Sequence, residues 1–300
     1  MTIPRSVSEF VEQELHERIK VIEDAYSAHA ITFIGPIMGG VDDILRAAIE
    51  KRHGITPASK KLVFILSTEG GYIEVVQRIV ATLRKHYSIV DFIIPNNAYS
   101  AGTVLALSGD AIHMDYYSRL GPIDPQVEGQ SGKFVPALGY LEKYNGLLKK
   151  AQDGTISVAE IQLLIKGFDQ AELNYYEHAR DLSIALLKEW LVKYKFKDWK
   201  QTETRGLKVD KTMKEKRAEE IAAELNNTEK WHSHGHGISM DVLKKDLKVK
   251  IDDFGINTAL SDSIRSYDEL LTDYMAKLGK MGVVHYSGNY IPFMERRIHE

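Results

Sequence analysis

Two short turns carry the residue types from which a nucleophilic site can be built. Residues 67–72 read Ser-Thr-Glu-Gly-Gly-Tyr and follow the apolar run 62–66. Residues 98–103 read Ala-Tyr-Ser-Ala-Gly-Thr and follow a second apolar run. A serine hydroxyl that attacks a carbonyl carbon needs a partner for its proton and N–H groups that hold the oxyanion. The serine, the paired glycines and the helix start together suit acyl transfer.

The spacing around the serine indicates how such a site would work. Ser100 lies at a strand-to-helix turn with small neighbours, as in a nucleophile elbow, although the pattern is Ala-x-Ser-x-Gly. Paired glycines let the other turn approach a ligand closely. We therefore expect Ser100 to attack a carbonyl while the N–H groups of Gly71 and Ala101 hold the oxyanion. The alternatives are an ordinary strand-to-helix turn and a helix-capping serine.

The elements that must position these turns alternate along the chain. Strand and helix at this spacing predict a parallel, layered α/β sheet. Ligands of such sheets bind beyond the carboxyl ends of the strands, which is where both turns fall. The predicted strands are 30–34, 62–66, 89–94 and 111–114, and the predicted helices are 41–51, 73–86 and 101–107.

The pattern divides the chain into four stretches. Residues 1–29 form an N-terminal helix, since apolar side chains recur at helical spacing over 6–28. Residues 30–136 form the α/β core, and residues 137–227 form a helical insertion. Residues 228–300 return to the core. In that last stretch we expect a helix at 241–246, a strand at 249–251 and a closing helix at 266–280.

Composition limits the class of protein. The 300 residues are 44% hydrophobic and 27% charged, as in a folded globular chain. With no cysteine, disulfides, a thiolate nucleophile and cysteine-based zinc sites are excluded. The net charge of -3 argues against a globally basic nucleic-acid binder. We find neither a signal-peptide core nor an apolar run of ~20 residues, so we expect a soluble, cytoplasmic protein without membrane attachment.

Four segments between residues 62 and 127 resemble the superfamily of the Clp protease proteolytic subunit and crotonase. They are most similar to the serine dehydrogenase proteinase family, which is related to signal peptide peptidase A. The segments are 67–71, 99–103, 106–114 and 120–126, the last reading Leu-Gly-Pro-Ile-Asp-Pro-Gln. A weaker resemblance extends to the His-Gly-His stretch within 231–239.

The resemblance implies a fold, an assembly and an activity. The fold is an α/β spiral of ββα units of the crotonase and Clp-protease type, here with a helical insertion. The assembly is a closed homo-oligomer. The activity is that of a serine peptidase in which Ser100 is the nucleophile, with Gly70, Gly71 and Ala101 around the oxyanion.

The general base is open between alternatives. A histidine follows the serine by about 25 residues in the Clp subunit, whereas residues 122–126 here contain none. Relatives of signal peptide peptidase A use a lysine 40 to 50 residues after the serine, and Lys143 falls in that window. A lysine acts as a base only when burial lowers its pKa. We expect Leu141 and Tyr144 to shelter the stem of Lys143; the alternative is a solvated surface lysine.

Histidines further along the chain are the second alternative. His232, His234 and His236 alternate, so they share one face of an extended segment. One of them serves as the base, or the three hold zinc, or the loop is structural. Asp124, between two prolines, would orient a base or simply form a turn.

The sequence therefore predicts a serine peptidase that acts on peptides or proteins without a cofactor or metal. Two other functions stay open: an acyl-coenzyme A enzyme of the crotonase type, and an inactive scaffold or regulatory subunit. For the scaffold, the helical region 137–225 would contact a protein partner. Within it, residues 188–217 hold eleven Lys or Arg against five acidic residues, which indicates a solvated face or a surface for an acidic partner.

Overall fold

The computed structural model describes residues 4–54, 59–123, 126–128, 134–202, 205–231 and 236–295. Strands and helices alternate through the first half of the chain, as the sequence predicts. The strands are β1 His29–Ile34, β2 Lys61–Ser67, β3 Ile89–Ile93, β4 Asn97–Ala98, β5 Ala111–Met114, β6 Arg119–Leu120, β7 Gln126–Glu128, β8 Phe134–Pro136, β9 Ile238–Ser239, β10 Asp252–Asp253, β11 Lys280–Tyr286 and β12 Asn289–Glu295.

Helices cover the sheet and fill most of residues 137–225. They are α1 Val7–Tyr26, α2 Val41–His53, α3 Ile73–His86, α4 Ala101–Leu107, α5 Ala137–Gln152, α6 Val158–Lys166, α7 Gln170–Trp190, α8 Lys211–Leu225, α9 Thr228–Trp231, α10 Met240–Lys245 and α11 Thr258–Lys277. A π-helix, Leu191–Lys195, continues α7. Among the helices in the described ranges, none is both long and apolar enough to cross a membrane.

The central sheet is mostly parallel. Over the described residues, seven strands form it in the order β10-β5-β3-β2-β1-β11-β12. The first five in this order run parallel to one another, and β11 and β12 add an antiparallel edge. A smaller sheet, β4-β6-β9, lies beyond the carboxyl ends of the parallel strands. Since β1, β2 and β3 are neighbours, the turns that leave them are neighbours as well.

Side chains alternate across the sheet and divide the core into two layers. Along β2, Leu62, Phe64 and Leu66 pack into a cluster with α2, α3 and α4. Val63 and Ile65 point the other way, into a cluster with α1 and α11. Both faces are apolar because both are covered, which explains why this strand reads as an unbroken hydrophobic run.

Two expectations for the C-terminal stretch were wrong, and two strands were missed. The strand expected at 249–251 is not formed; Val249 and Ile251 are buried apolar side chains, and the pairing strand is the next two residues, β10. The last helix does not run over 266–280. It begins at Thr258, where Asn257 accepts the Leu260 N–H (3.2 Å), and it ends at Lys277. Strands β11 and β12 were not expected at all.

A buried chain of hydrogen bonds joins this antiparallel edge to α11. The Thr32 hydroxyl lies 2.6 Å from the Tyr267 hydroxyl, which lies 2.7 Å from Nδ1 of His285. Burial, and then the charge of His16, lowers the pKa of His285 from 6.5 to about 3. The imidazole is therefore neutral in the folded chain at any pH above this value.

This histidine makes stability fall with acidification. Between pH 6.5 and pH 3 the unfolded chain binds a proton that the folded chain excludes. The free energy of unfolding should therefore fall as pH is lowered, by up to about 1.4 kcal/mol per pH unit from this group. We expect His285→Gln to flatten that slope in urea unfolding measured from pH 7 to pH 4. The exposed His178→Gln should keep the wild-type slope, and equal slopes for all three chains would contradict the assignment.

Candidate active site

Ser100 has a backbone conformation that few residues other than glycine adopt. It follows β4 and begins α4 with φ 52° and ψ −121°, and it is 5% exposed. Such a conformation costs on the order of 1–3 kcal/mol and persists only where the surroundings impose it. The N–H groups of Thr103 and Val104 both donate to the Ser100 carbonyl and Gly102 donates to Tyr99. Ser100 therefore forms the strand-to-helix turn that the sequence predicts, and the structure adds that its backbone is strained.

The turn after β2 is fixed by two backbone hydrogen bonds to Ile37. The Ile37 N–H donates to the Gly70 carbonyl, and the Tyr72 N–H donates to the Ile37 carbonyl, both at 2.8 Å. Gly71 lies between them with φ 148°, and a Cβ there would come within 2.0 Å of the Ile37 oxygen. Only glycine fits at this position without moving the backbone.

The same turn lies directly against the serine. A Cβ on Gly70 (φ 103°) would come within 2.9 Å of the Ser100 Cβ and 3.3 Å of the Ala101 nitrogen. Thr68 holds the two segments together: its N–H donates to the Asn97 carbonyl, and its own carbonyl accepts the Tyr99 N–H, both at 2.9 Å. The two predicted turns are thus adjacent in space.

The N–H groups of the turns differ in what they bind. The Gly70 N–H donates to the Thr68 hydroxyl at 3.0 Å. For the N–H groups of Gly71 and Ala101 the described residues supply no acceptor. Two unengaged donors beside a serine are what an oxyanion site requires. Gly70 therefore has no free N–H for an oxyanion; its role is to let the backbone of the turn lie close to Ser100.

Thr103 is a positioning residue that the sequence analysis missed. Its hydroxyl lies 2.7 Å from the Ala98 carbonyl and accepts the Gly121 N–H at 2.9 Å. This ties the segment 120–123 to the start of α4. A Cβ on Gly121 would come within 2.7 Å of the Tyr99 ring. The sequence does indicate this packing, because the small residues Gly102 and Gly121 stand where these segments are in contact.

Of the predicted bases, Lys143 and His236 lie within the described residues, and both are exposed. Lys143 is exposed on α5, so the expected shelter for its stem is not formed by the described residues. Leu141 instead packs with Leu173 and Tyr176 of α7. His236 is exposed, with its ring 5.4 Å from that of Trp231. Three further predicted positions lie outside the described residues: Asp124, His232 and His234.

Among the described lysines, a different one has a lowered pKa. Burial lowers the pKa of Lys195 to about 8. Its charged neighbours include Asp91, Asp110 and Asp252, at the edge of the sheet near β3, β5 and β10. Asp110 follows the C-terminal end of α4, whereas Ser100 stands at the N-terminal end, and seven helical residues span about 10 Å. Lys195 therefore belongs to another part of the molecule.

The described residues contain no group of three or more His, Asp or Glu side chains arranged to hold a metal ion. The site thus consists of a serine, backbone donors and tightly packed glycines on an α/β sheet. This is the arrangement of a nucleophile elbow. The chain belongs to the family of ClpP-like SDH-type serine proteinases, whose sequence profile matches residues 10–206. The family and the α/β fold class expected from the sequence are confirmed.

Two curated relatives match part of this chain. An uncharacterized protein of Methanocaldococcus jannaschii, MJ1495, is 32% identical over 176 residues, 57% of this chain and 56% of that protein. A second, MJ0137, is 31% identical over 141 residues, 47% of this chain and 45% of that one. The chain thus spans about half the length of the curated relatives it matches.

Two solved structures of the 1510-N membrane-bound stomatin-specific protease are also similar to this chain. One is of a serine-to-alanine mutant, with a TM-score of 0.41 and 15% identity over 81% of each chain. The other is of a lysine-to-alanine mutant in complex with a substrate peptide. It has a TM-score of 0.43 and 17% identity over 88% of this chain and 85% of that one. At identities this low, the similarity supports no conclusion about a shared substrate.

The packing of Gly71 against Ile37 predicts that this glycine is essential to the fold around Ser100. Gly71→Ala places a methyl group on a backbone oxygen and should lower the free energy of unfolding by on the order of 2 kcal/mol or more. The matched control is Gly146→Ala, because Gly146 lies exposed within α5 and no atom comes within 4 Å of the place its methyl group would take. The control should be neutral or stabilising by up to about 1 kcal/mol. Urea unfolding of both variants checks this; an equal effect would contradict it.

Proposed function

We propose that the chain is a serine peptidase in which Ser100 is the nucleophile. The observation that carries the proposal is the strained, buried turn at Ser100, which lies directly against the Gly70–Gly71 turn. The Ser100 Oγ attacks the carbonyl carbon of a peptide bond while its proton passes to a base. The base then protonates the leaving amine, and water hydrolyses the acyl-enzyme to release the acid and regenerate the hydroxyl.

The catalytic gain in this proposal comes from pre-positioned donors. The two N–H groups are fixed by backbone packing, so they need no reorganisation when negative charge develops on the carbonyl oxygen. The site is also shielded from water, which strengthens each hydrogen bond to that oxygen. The strain at Ser100 keeps the hydroxyl at the turn instead of in a regular helix.

For the base we propose Lys143 or a histidine of the segment 232–236. Packing supports Lys143, because α5 rests on α7 through Leu141 and Tyr176. Tyr175, next to that contact, has Tyr72 and Glu74 among its electrostatic neighbours, just after Gly71. Helix α5 is therefore connected to the oxyanion turn through α7. The histidine segment is supported by β9, which follows it and pairs with β6.

Substrate and assembly are proposals at the level of the family. We propose that the chain acts on peptides or unfolded proteins and forms a homo-oligomer, as ClpP-like proteins do. We also propose that it works in the cytoplasm, because the absence of cysteine suits a compartment in which disulfides are rare.

Ser100→Ala tests the nucleophile. The wild-type chain should react with a fluorophosphonate probe, and peptide mapping should place the label on Ser100. The variant should lose the label and at least ~10³-fold in peptide cleavage, since no other group replaces the hydroxyl. A folded wild-type chain that is never labelled, in any assembly state, would overturn the proposal and favour the inactive scaffold.

The base is identified by which variant loses the label. Lys143→Ala should abolish labelling of Ser100, while Lys149→Ala on the same helix should leave it unchanged. Loss of label in His234→Ala or His236→Ala, with normal unfolding and unchanged metal content, would move the base to the histidine segment. Calorimetry with coenzyme A is the companion measurement, because binding would favour acyl transfer of the crotonase type instead.

A further inference from the structure

One half-exposed tyrosine adjoins the oxyanion turn, and a second comes from a helix that packs on the helix after that turn. Tyr72 follows Gly71 directly, precedes α3 and is 47% exposed. Tyr175 comes from α7, which packs on α3 and α4, and it is 46% exposed. Partial burial raises the pKa of Tyr175, and the charges of Glu74 and Tyr72 add to the effect. Because α7 packs on α3, whose first turn carries Glu74 just after Tyr72, we call Tyr72, Glu74 and Tyr175 together the tyrosine rim.

Glu74 lacks the partner that its helix would normally provide. Arg78 is four residues further along α3, the spacing at which a glutamate and an arginine pair best. Arg78 instead binds Asp42 of α2 at 2.8 Å and lies 3.8 Å from Asp43. Across the ion pairs of the described residues, none involves Glu74. Its carboxylate is thus exposed, and no cation from the described part of the chain forms an ion pair with it.

A second carboxylate adds negative charge on the other side of the glycine turn. Glu69 precedes Gly70 and is exposed, and its Oε1 accepts a hydrogen bond from Asn97 at 2.8 Å. Its charge, after burial, raises the pKa of Tyr99. An amide neutralises no charge, so the turn is flanked by acidic side chains on both sides.

We propose that Tyr72, Tyr175 and Glu74 bind a basic side chain of the peptide substrate, next to the bond that Ser100 attacks. The proposal rests on the proposed peptidase function. An ammonium or guanidinium group is attracted to the faces of aromatic rings, and a carboxylate beside them adds a charged hydrogen-bond acceptor. An apolar side chain would contact the rings but gain nothing from Glu74. The tyrosine rim therefore discriminates by charge.

The first measurement uses the wild-type chain. Unfolded casein is digested, and mass spectrometry identifies the cleaved bonds. A cleaved peptide with a lysine near the bond is then synthesised in three forms, with lysine, norleucine or glutamate at that position. Norleucine keeps the length of lysine without its charge. We expect kcat/KM to fall about tenfold from lysine to norleucine, as for a cation–aromatic contact with a carboxylate, and further to glutamate.

Variants assign the preference to particular residues. Glu74→Gln removes the charge and should bring the lysine-to-norleucine ratio close to one. Tyr175→Leu should lower the ratio several-fold, since leucine keeps an apolar contact without a ring. Glu215→Gln, a surface glutamate of α8, is the control and should retain the wild-type ratio. A purely structural role of Glu74 would change the two rates equally and leave the ratio unaltered.

The outcomes separate this inference from the function on which it rests. Absence of both fluorophosphonate labelling and casein cleavage in the wild type would remove the peptidase function itself. Labelling and cleavage with norleucine as good as lysine would leave the peptidase intact and overturn the basic-side-chain site. A wild-type preference for lysine that Glu74→Gln does not reduce would also overturn the assignment to the tyrosine rim.

Discussion

The candidate site depends on one constraint, the close contact of the Gly70–Gly71 turn with backbone on both of its sides. On one side Gly71 leaves no room for a Cβ against the Ile37 carbonyl. On the other, Gly70 lies against Ser100 and the nitrogen of Ala101. A methyl group at either position would push the turn away from its neighbour. The distance between the serine and its backbone donors is therefore set by the absence of side chains.

The order of the strands explains why these segments meet. Ile37 follows β1, the glycine turn follows β2, and Ser100 comes shortly after β3. These three strands are parallel neighbours, so the segments that leave them stand side by side at one edge of the sheet. Hydrogen bonds from Ile37 and Thr68 then continue the pairing beyond the ends of the strands. The site is an extension of the sheet rather than a separate loop structure.

Much of this region could be predicted because local signals agree with the fold. The apolar run of β2, the amphipathic pattern of α3 and the small residues around Ser100 all indicate their structures directly. Strands β11 and β12 could not be found in the same way, since Gly282 and Pro292 interrupt their apolar patterns and β1, which pairs with β11, lies far away in the chain. The start of the last helix was predicted too far along the chain because Asn257 was not recognised as its N-cap.

The base could not be predicted for a related reason. Whether a lysine is basic enough depends on what covers its ammonium group, and that follows from tertiary packing rather than from the residues beside it. Lys143 has Leu141 and Tyr144 as neighbours, yet Leu141 is used to attach α5 to α7. Lys195 lies in a basic stretch whose composition indicates a solvated face, yet burial lowers its pKa.

The packing of α7 means that two parts of the chain contribute residues to the candidate site. The sheet and its turns supply the serine and the backbone donors, which any peptide bond could use. Helix α7 lies outside that framework but reaches it through α3, and Tyr175 stands near Tyr72. In the proposed peptidase, a change in α7 would therefore alter which side chain is accepted without moving the donors. Because Asp42 holds Arg78 away, the helix pair α2 and α3 leaves Glu74 open to a cation from outside the chain.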